Sequence, residues 1–513
     1  MRVAIRTDAS AVIGTGHFMR CLVLADGLKQ QGADVTLLYR SSLPALLDLA
    51  VAGGHAVLQL PPAGGAQAQD AGVAADVPAH AAWLGVTQPR DAADTVAALA
   101  SSTPWDWLVV DHYGIDATWE SAVRPAARRL MVIDDLADRR HECDVLLDQN
   151  VQGTASRYDA LVPSHCLQLL GPAFALLRPE FALARAGTVA RKGAVHNLLI
   201  CFGGVDAGGA TLSALDGVAL LPVPPARIDV VVGRGHSALD EVQARCARIG
   251  AHCHVQTTRL AELMAAADLA IGAGGTVLWE RCVTGLPALA LCAAENQRGQ
   301  LAEATALGIV HAPSIGENDA AAIARHVQVM SESVHWREAM SRNGMALVDG
   351  LGHRRVAGVL VAEQSRLRIR MRPATSQDSD SLFEWRNHPS IRAVSRDDRP
   401  IRIENHRRWL EGALASDARA LLIGADDEGP VGVVRFDIHA EVAEISIYVV
   451  PGREGRGLGR ALLGAAQEWL EGQRPAVARI DAEVLEGNTA SHRLFAAAGF
   501  QRAAHRYSKR IRA

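Results

Sequence analysis

No C-x-x-C pair occurs in the 513 residues, although eight cysteines are present at Cys21, Cys143, Cys166, Cys201, Cys246, Cys253, Cys282 and Cys292. Scattered thiols lack the spacing on which zinc sites and dithiol redox centres are built. The gap in "CARIGAHCH", around Cys246, Cys253 and His254, is not a usual ligand spacing either. The cysteines therefore read as small buried apolar residues, and no metal is expected. The start "MRVAIRTDAS" has no apolar h-region ahead of a cleavage site. Uncharged runs such as residues 49–69 are broken by Gly, Pro and Gln, so none makes an apolar membrane-spanning helix. Strong charge of either sign is missing too: a formal net charge of -4 gives no reason to expect nucleic acid or an anionic membrane as partner. A cytoplasmic protein working on small molecules is expected, and nothing in the composition speaks to its oligomeric state.

What is present is a long chain, 49% hydrophobic and 21% charged, too long for one ordinary core. Short β-rich runs, "RVAIRT", "ADVTLLYR", "DWLVVDHY", "RLMVIDDL" and "CDVLLDQN", alternate with helical patterns over about the first 150 residues. Near-continuous apolar strands separated by helices predict a parallel sheet covered on both faces. The pattern restarts at "NLLICFGG" and continues through "RIDVVVG", "AHCHVQT", "ADLAIGAGG" and "LPALALCA". The fold class expected is thus α/β, two doubly wound lobes facing across a cleft, followed by an α+β domain. The boundaries are placed at residues 1–170, 171–363 and 368–513, with a helical stretch over 321–363 closing the second lobe.

In the first lobe "IGTGHFMRC" follows a strand and opens a helix. Freed amides at such a helix start point outward, and small glycines let an anion approach. His17 falls near this helix N-terminus, where a neutral imidazole can take a proton from water. The same position also suits a histidine that merely caps or packs. In the second lobe "CFGGVD" places Gly203, Gly204 and Asp206 after a strand, and "GAGGTVLWE" brings Gly274, Gly275 and Thr276 to a helix start with Glu280 one turn on. Amides at Gly275 and Thr276 can cradle a diphosphate while Glu280 accepts from ribose hydroxyls.

The ordered series "RTDAS", "IGTGHFMRC", "VVDHYGID", "VIDDLADRRHECDVLLDQN", "GPAFALLRPEF", "CFGGVD", "GAGGTVLWE" and "GLPALALCAAENQ" resembles the UDP-sugar hydrolases of pseudaminic acid biosynthesis, relatives of the GT-B glycosyltransferases. The resemblance implies that His17 is the general base and that Asp8, Gly14 and Gly16 shape its loop. It also implies that Asp111, Tyr113 and Asn150 line the first half of the cleft, with Asp134 and Asp135 in the same role or as helix caps. Asn296, Gln297 and the second-lobe residues above would hold UDP and nearby hydroxyls. The reaction implied is release of UDP from UDP-2,4-diacetamido-2,4,6-trideoxy-β-L-altropyranose, needing neither a covalent nucleophile nor a metal. A glycosyltransferase or epimerase acting on UDP-sugars is the competing enzyme reading, because fold alone does not fix chemistry.

The last 146 residues, 368–513, carry "YVVPGREGRGLGRALL" and then "EGNTASHRLFAAAGF". A strand, a glycine turn and a helix again suit a pyrophosphate. The ordered pair is similar to the acetyl-CoA site of GNAT-family N-acetyltransferases, which implies acetyl-CoA as cosubstrate with Val449, Arg456, Gly457, Gly459, Arg460 and Asn488 at its site. "SLFEWRNHPSIR" and "ENHRRWL" resemble the family member that acetylates a UDP-4-amino sugar, so the implied acceptor is a UDP-amino sugar. Glu454 and Phe495 depart from the family pattern, and Phe495 cannot give a proton to a leaving thiolate. Glu444 and His492 are candidates for deprotonating the amine. A degenerate coenzyme A-binding or scaffold domain is the alternative.

Overall fold

The computed structural model describes the chain apart from residues 11, 64–77, 101–104, 152–156, 204–205, 207, 293–296, 315–317, 367–368, 455–456 and 501–513. The chain divides into two compact units, Met1–Ala357 and Gly358–Ala513.

The first unit contains two parallel sheets. Strands β1 (Arg2–Thr7), β2 (Asp34–Tyr39), β3 (Ala56–Gln59), β4 (Trp105–Asp111), β5 (Ala127–Ile133), β6 (Val145–Asp148) and β7 (Leu167–Leu170) form a sheet of order β3-β2-β1-β4-β5-β6-β7. Strand β4 is buried along its whole length, the pattern of a strand covered on both faces. The short strands β3 and β7 are additions to the five runs that the sequence pattern marks. The second sheet has β8 (Asn197–Cys201), β9 (Arg227–Val232), β10 (His252–Val255), β11 (Leu269–Gly272) and β12 (Ala288–Ala290) in the order β10-β9-β8-β11-β12. In both sheets the order reverses beside the first strand, at β1/β4 and at β8/β11. Crevices that take ligands open at the carboxyl ends of strands at such a reversal.

The helical stretch after β12 divides its packing. Ile323, Val327 and Met330 of the helix Ala320–Glu332 and Met340 of Val334–Leu347 join the core of the second lobe. The helix that follows, Gly352–Arg366, leans on the first lobe instead: a Cβ placed on Gly27 would stand 3.4 Å from the His353 carbonyl oxygen and 3.7 Å from the Ala357 methyl.

Charge is buried deliberately beneath the first-lobe site. Arg6 donates through Nη2 to Asp8 and to Asp91, both at 2.8 Å, and Arg40 Nε donates to Asp91 at 2.9 Å. The Trp119 indole adds a bond to Asp91 at 3.0 Å. Asp8 also accepts from the backbone amides of Arg40 and Ser41, tying the end of β2 to the loop after β1.

The second unit is built on β13 (Arg370–Pro373), β14 (Arg419–Asp426), β15 (Gly429–His439), β16 (Val442–Val449) and β17 (Arg479–Ala482), consecutive in space and antiparallel up to β16. Strands β16 and β17 run parallel and pair only over Val442–Ile445 and Arg479–Ala482. Beyond that point β16 continues to Val449 without β17, so the sheet splits. Among the described residues no helix is long and apolar enough to cross a membrane.

Burial alone pushes the Asp91 carboxyl up, but Arg6 and Arg40 outweigh it and hold it at about 2, against 3.8 for a free aspartate. A depressed folded value means that the stability is complete above about pH 4 and is lost as pH falls through 2. Asp91→Ala, which removes the buried carboxylate shared by Arg6 and Arg40, is expected to cost about 3–5 kcal/mol at pH 7. Urea denaturation measures this, and an unchanged midpoint would refute it.

Candidate functional site

His17 is the second residue of the helix Gly16–Gln30, and only 7% of it is exposed. The turn before it is closed by a bond from the Gly14 amide to the Ser10 carbonyl at 2.8 Å, with Gly14 at φ 81°. β4 ends at Asp111, beside β1, and there the two elements meet: His17 Nδ1 lies 2.6 Å from Asp111 Oδ1. Arg20, one turn along the helix from His17, grips the same carboxylate twice, through Nε at 2.6 Å and Nη2 at 2.7 Å. Its Nη1 donates to Asp135 at 2.9 Å, and Asp135 accepts from the Tyr113 hydroxyl.

This arrangement decides which histidine nitrogen is free. Burial alone pushes the Asp111 carboxyl up, but Arg20 and then His17 hold it well below the usual carboxylate range, so it is ionised. An ionised carboxylate only accepts hydrogen bonds. Nδ1 of His17 therefore carries a hydrogen, and in the neutral ring the lone pair lies at Nε2. Arg20 Nη2 stands 3.3 Å from Nδ1, a longer approach than its own bond to Asp111, and does not compete. The Asp111 side chain orients the ring as well as setting its tautomer.

Asp8, Gly14, Gly16, Asp111, Tyr113 and Asp135 thus gather round His17 or the loop that carries it. Asp134 does not join them. It is fully buried and accepts from the Ala137 amide and the Tyr158 hydroxyl, both at 2.9 Å, beside Arg139 Nη1 at 2.9 Å. Arg20 was not singled out in the sequence, although its position three residues after His17 places it on the same helical face.

In the second lobe Gly275 stands immediately before the helix Thr276–Val283. Two glutamines accept from amides of this loop: Gly274 N donates to Gln297 Oε1 at 3.2 Å, and Gly275 N, one of the two amides expected to meet a diphosphate, donates to Gln300 Oε1 at 2.6 Å. Gln300 Nε2 in turn donates to Asn150 Oδ1 at 2.8 Å, bringing a first-lobe residue to the second-lobe glycine loop. Glu280 is buried on the same helix, with Arg178 Nη2 3.6 Å away. Asp206 spends both oxygens on the helix after β8, accepting from Ala210 N at 3.1 Å and Thr211 N at 2.6 Å, so it shapes that loop. Gly203 is at φ 100°, while Gly204 and Asn296 lie outside the described residues.

In the second unit a cavity of about 830 Å³ opens where β16 and β17 part. Val449, Gly457, Gly459 and Asn488 line it, together with Glu444, Glu454 and Phe495. Gly457, at φ 73°, precedes the helix Leu458–Gln473. Asn488 caps the helix Thr489–Ala497 through a bond from the Ser491 amide at 3.0 Å. Arg460 sits within the first of these helices but is not among the lining residues, and Arg456 lies outside the described ones. His492 is not brought to the cavity either. Its helix turns Ala490, Ser491, Leu494 and Phe495 inward, and residue 492 falls beyond that face. Tyr448 and Ser491 bring hydroxyls to the lining that the motifs alone did not mark as reactive. Burial pushes the Tyr448 phenol up, so it keeps its proton.

Two paired parallel sheets and a split five-stranded sheet define the class: a two-lobed α/β enzyme fold of the GT-B type, followed by an acetyltransferase-like domain. Residues 368–501 match the family model of the acetyltransferase (GNAT) domain. The chain is 27% identical over 207 residues to UDP-2,4-diacetamido-2,4,6-trideoxy-beta-L-altropyranose hydrolase of Campylobacter jejuni, a match covering 40% of this chain and 61% of that protein. It is also 30% identical over 83 residues to acetyltransferase PseH of the same species, covering 16% of this chain and 52% of the relative. Among solved structures, UGT2 of Phytolacca americana, complexed with UDP-2-fluoro-glucose and pterostilbene, superposes with a TM-score of 0.51 at 13% identity, over 70% of this chain and 98% of that one. The chain therefore joins a segment similar to a UDP-sugar hydrolase to a GNAT acetyltransferase domain.

Burial raises the Glu280 carboxyl from 4.5 to about 7, despite Arg178 and Arg281 nearby. A raised folded value means that stability is complete below about pH 4.5 and is lost as pH rises through 7. Glu280→Gln, which cannot ionise, is expected to exceed the native protein in stability by about 1–3 kcal/mol at pH 8 and to match it at pH 4.5. Denaturation curves at the two pH values check this, and an equal difference at both would contradict it.

Proposed function

We propose that the chain is a bifunctional nucleotide-sugar enzyme. Its first unit releases UDP from UDP-2,4-diacetamido-2,4,6-trideoxy-β-L-altropyranose, and its second uses acetyl-CoA to N-acetylate the UDP-4-amino sugar that precedes it. The observation that carries the hydrolytic half is the 2.6 Å contact between His17 Nδ1 and the buried Asp111 carboxylate, which leaves Nε2 as a base. Similarity to the Campylobacter hydrolase supports the choice of substrate.

In this reading a water hydrogen-bonded to His17 Nε2 attacks the anomeric carbon. Its proton passes to Nε2 as the carbon–oxygen bond to the diphosphate breaks and its electrons leave with UDP. Asp111 stabilises the imidazolium that forms, and Arg20 keeps Asp111 in place. The glycine-loop amides of the second lobe take the diphosphate, with Gln297 and Gln300 moving off Gly274 and Gly275 to admit it. Glu280 and Arg178 meet the nucleoside side.

In the second unit the Gly457 turn and the helix after it hold the coenzyme A pyrophosphate. The acetyl group lies in the split between β16 and β17. Glu444, an exposed carboxylate lining that cavity, takes the proton of the attacking amine, which needs its lone pair before it can reach the thioester. His492, directed away from the cavity, drops out of that role. The family likeness to PseH favours an amino-sugar acceptor.

The test is to supply the UDP-amino sugar with and without acetyl-CoA and to follow products by NMR and mass spectrometry. N-acetylation dependent on acetyl-CoA, then free UDP and free sugar without any acceptor, is the expected result. Transfer of the sugar to an acceptor, or loss of UDP without water entering the product, would replace the hydrolase with a transferase or epimerase. His17→Leu is expected to slow UDP release by about 10²–10⁴-fold while UDP still binds; near-normal turnover would remove His17 from the mechanism. Gly457→Asp puts a carboxylate where the pyrophosphate belongs and a side chain on a left-handed backbone. It is expected to abolish acetylation and to leave hydrolysis of supplied diacetamido sugar intact, as read by thiol release and UDP release in parallel.

A further inference from the structure

Beside His17 the first lobe presents a group of rings that proton transfer alone does not require. Trp83 sits in the 3-10 turn Ala81–Leu84, anchored by buried Leu84. Its ring stacks on Tyr113, with centroids 5.8 Å apart and planes at 28°. The His17 ring stands edge-on to both, 4.4 Å from Tyr113 and 6.5 Å from Trp83. His80 closes the group at 4.5 Å from Trp83.

The close approach of this turn depends on residue 114. A Cβ on Gly114 would lie 2.8 Å from the His80 carbonyl oxygen, so glycine there lets the aromatic turn settle against the loop after β4. The two stacked rings differ in how they are held. Tyr113 is buried, and its hydroxyl is committed to Asp135. Trp83 is only half-buried, and its indole N–H has no hydrogen-bond partner among the described residues. A half-exposed ring with an unpartnered indole N–H, braced by a fixed ring beside His17, is suited to receive a ligand.

What it receives follows from the position of the base. A sugar attacked by water held at His17 Nε2 has to lie within reach of that nitrogen, and therefore against these rings. A hexose rich in hydroxyls calls for side chains that exchange hydrogen bonds with it. A deoxy sugar with acetamido groups presents methyl groups and an apolar ring face, which an indole covers. We propose that Trp83, seated on Tyr113, is the specificity-determining face of the sugar subsite and selects nucleotide-linked deoxy sugars bearing acetamido groups. The assignment rests on the hydrolase reading above and names the part of the substrate that this site reads.

The experiment uses the full chain and measures UDP release from UDP-diacetamido-trideoxy sugar, together with UDP affinity by calorimetry. Trp83→Ala is expected to raise KM about 10- to 50-fold, the scale on which an apolar pocket discriminates. The kcat should stay within about threefold, because the base is untouched. UDP affinity should be unchanged, and Trp83→Phe should recover most of the lost KM. If circular dichroism shows Trp83→Ala to be misfolded, Trp83→Leu, which keeps bulk in the turn, carries the same test. Unchanged KM, parallel loss of UDP affinity, or a Phe variant no better than Ala or Leu would overturn the subsite. Wild-type protein that releases no UDP from this sugar would sink the hydrolase reading and the subsite with it. Wild-type turnover alongside an indifferent Trp83→Ala would sink the subsite alone.

Discussion

The buried carboxylate of Asp111 is the constraint on which the first-lobe site depends. It stands at the end of β4, wholly removed from water, and an isolated anion there would be too costly to keep. Arg20 removes the penalty by gripping both oxygens, and the charge so stabilised then governs its neighbour. Because Asp111 remains an acceptor, His17 presents a hydrogen to it at Nδ1, and in the neutral ring the lone pair lies at Nε2. Arg20 also reaches Asp135, and Asp135 the Tyr113 hydroxyl, so one guanidinium links His17, the acid that orients it and the Tyr113 ring. A second buried network, Arg6 with Asp8, Asp91 and Arg40, holds the strand ends from which these loops depart.

The second lobe solves a different problem. Backbone amides suited to phosphate would be left unsatisfied in the absence of one, and unpaired buried donors are expensive. Gln297 and Gln300 accept from Gly274 and Gly275, so the loop stays satisfied. Gln300 further reaches Asn150, which brings the end of the first sheet to the glycine loop of the second. In the acetyltransferase domain the decisive feature is an omission: β17 stops at Ala482 while β16 runs on to Val449, and the unpaired stretch opens the cavity.

Much of this was legible beforehand where the signal is local. Apolar runs separated by helical patterns announce parallel sheets because burial on both faces leaves no polar alternation, and β4 shows it along its full length. Glycine-rich turns between a strand and a helix are readable from the residues alone, and Gly275 and Gly457 do stand at helix starts with positive φ. His17 stood out because it occupies such a turn. The short strands β3 and β7 were missed because runs of four residues carry too little periodicity to separate from loops.

The sequence by itself determined the order of the elements and the positions of the glycine turns, one of which carries His17, since each depends on residues a few positions apart. Tertiary structure alone decided which acid serves that histidine. Asp111 lies 94 residues from His17, and Asp111, Asp134 and Asp135 all follow apolar strands in the sequence. Only the sheet order, which sets β4 beside β1, puts Asp111 against the helix while Asp134 turns to Tyr158 and Arg139. The same holds for Trp83 beside Tyr113, for Gln300 beside Asn150, and for His492, which helical phase turns away from the cavity. Contacts between residues far apart in the chain are fixed by packing and register, and those are settled only when the whole fold closes.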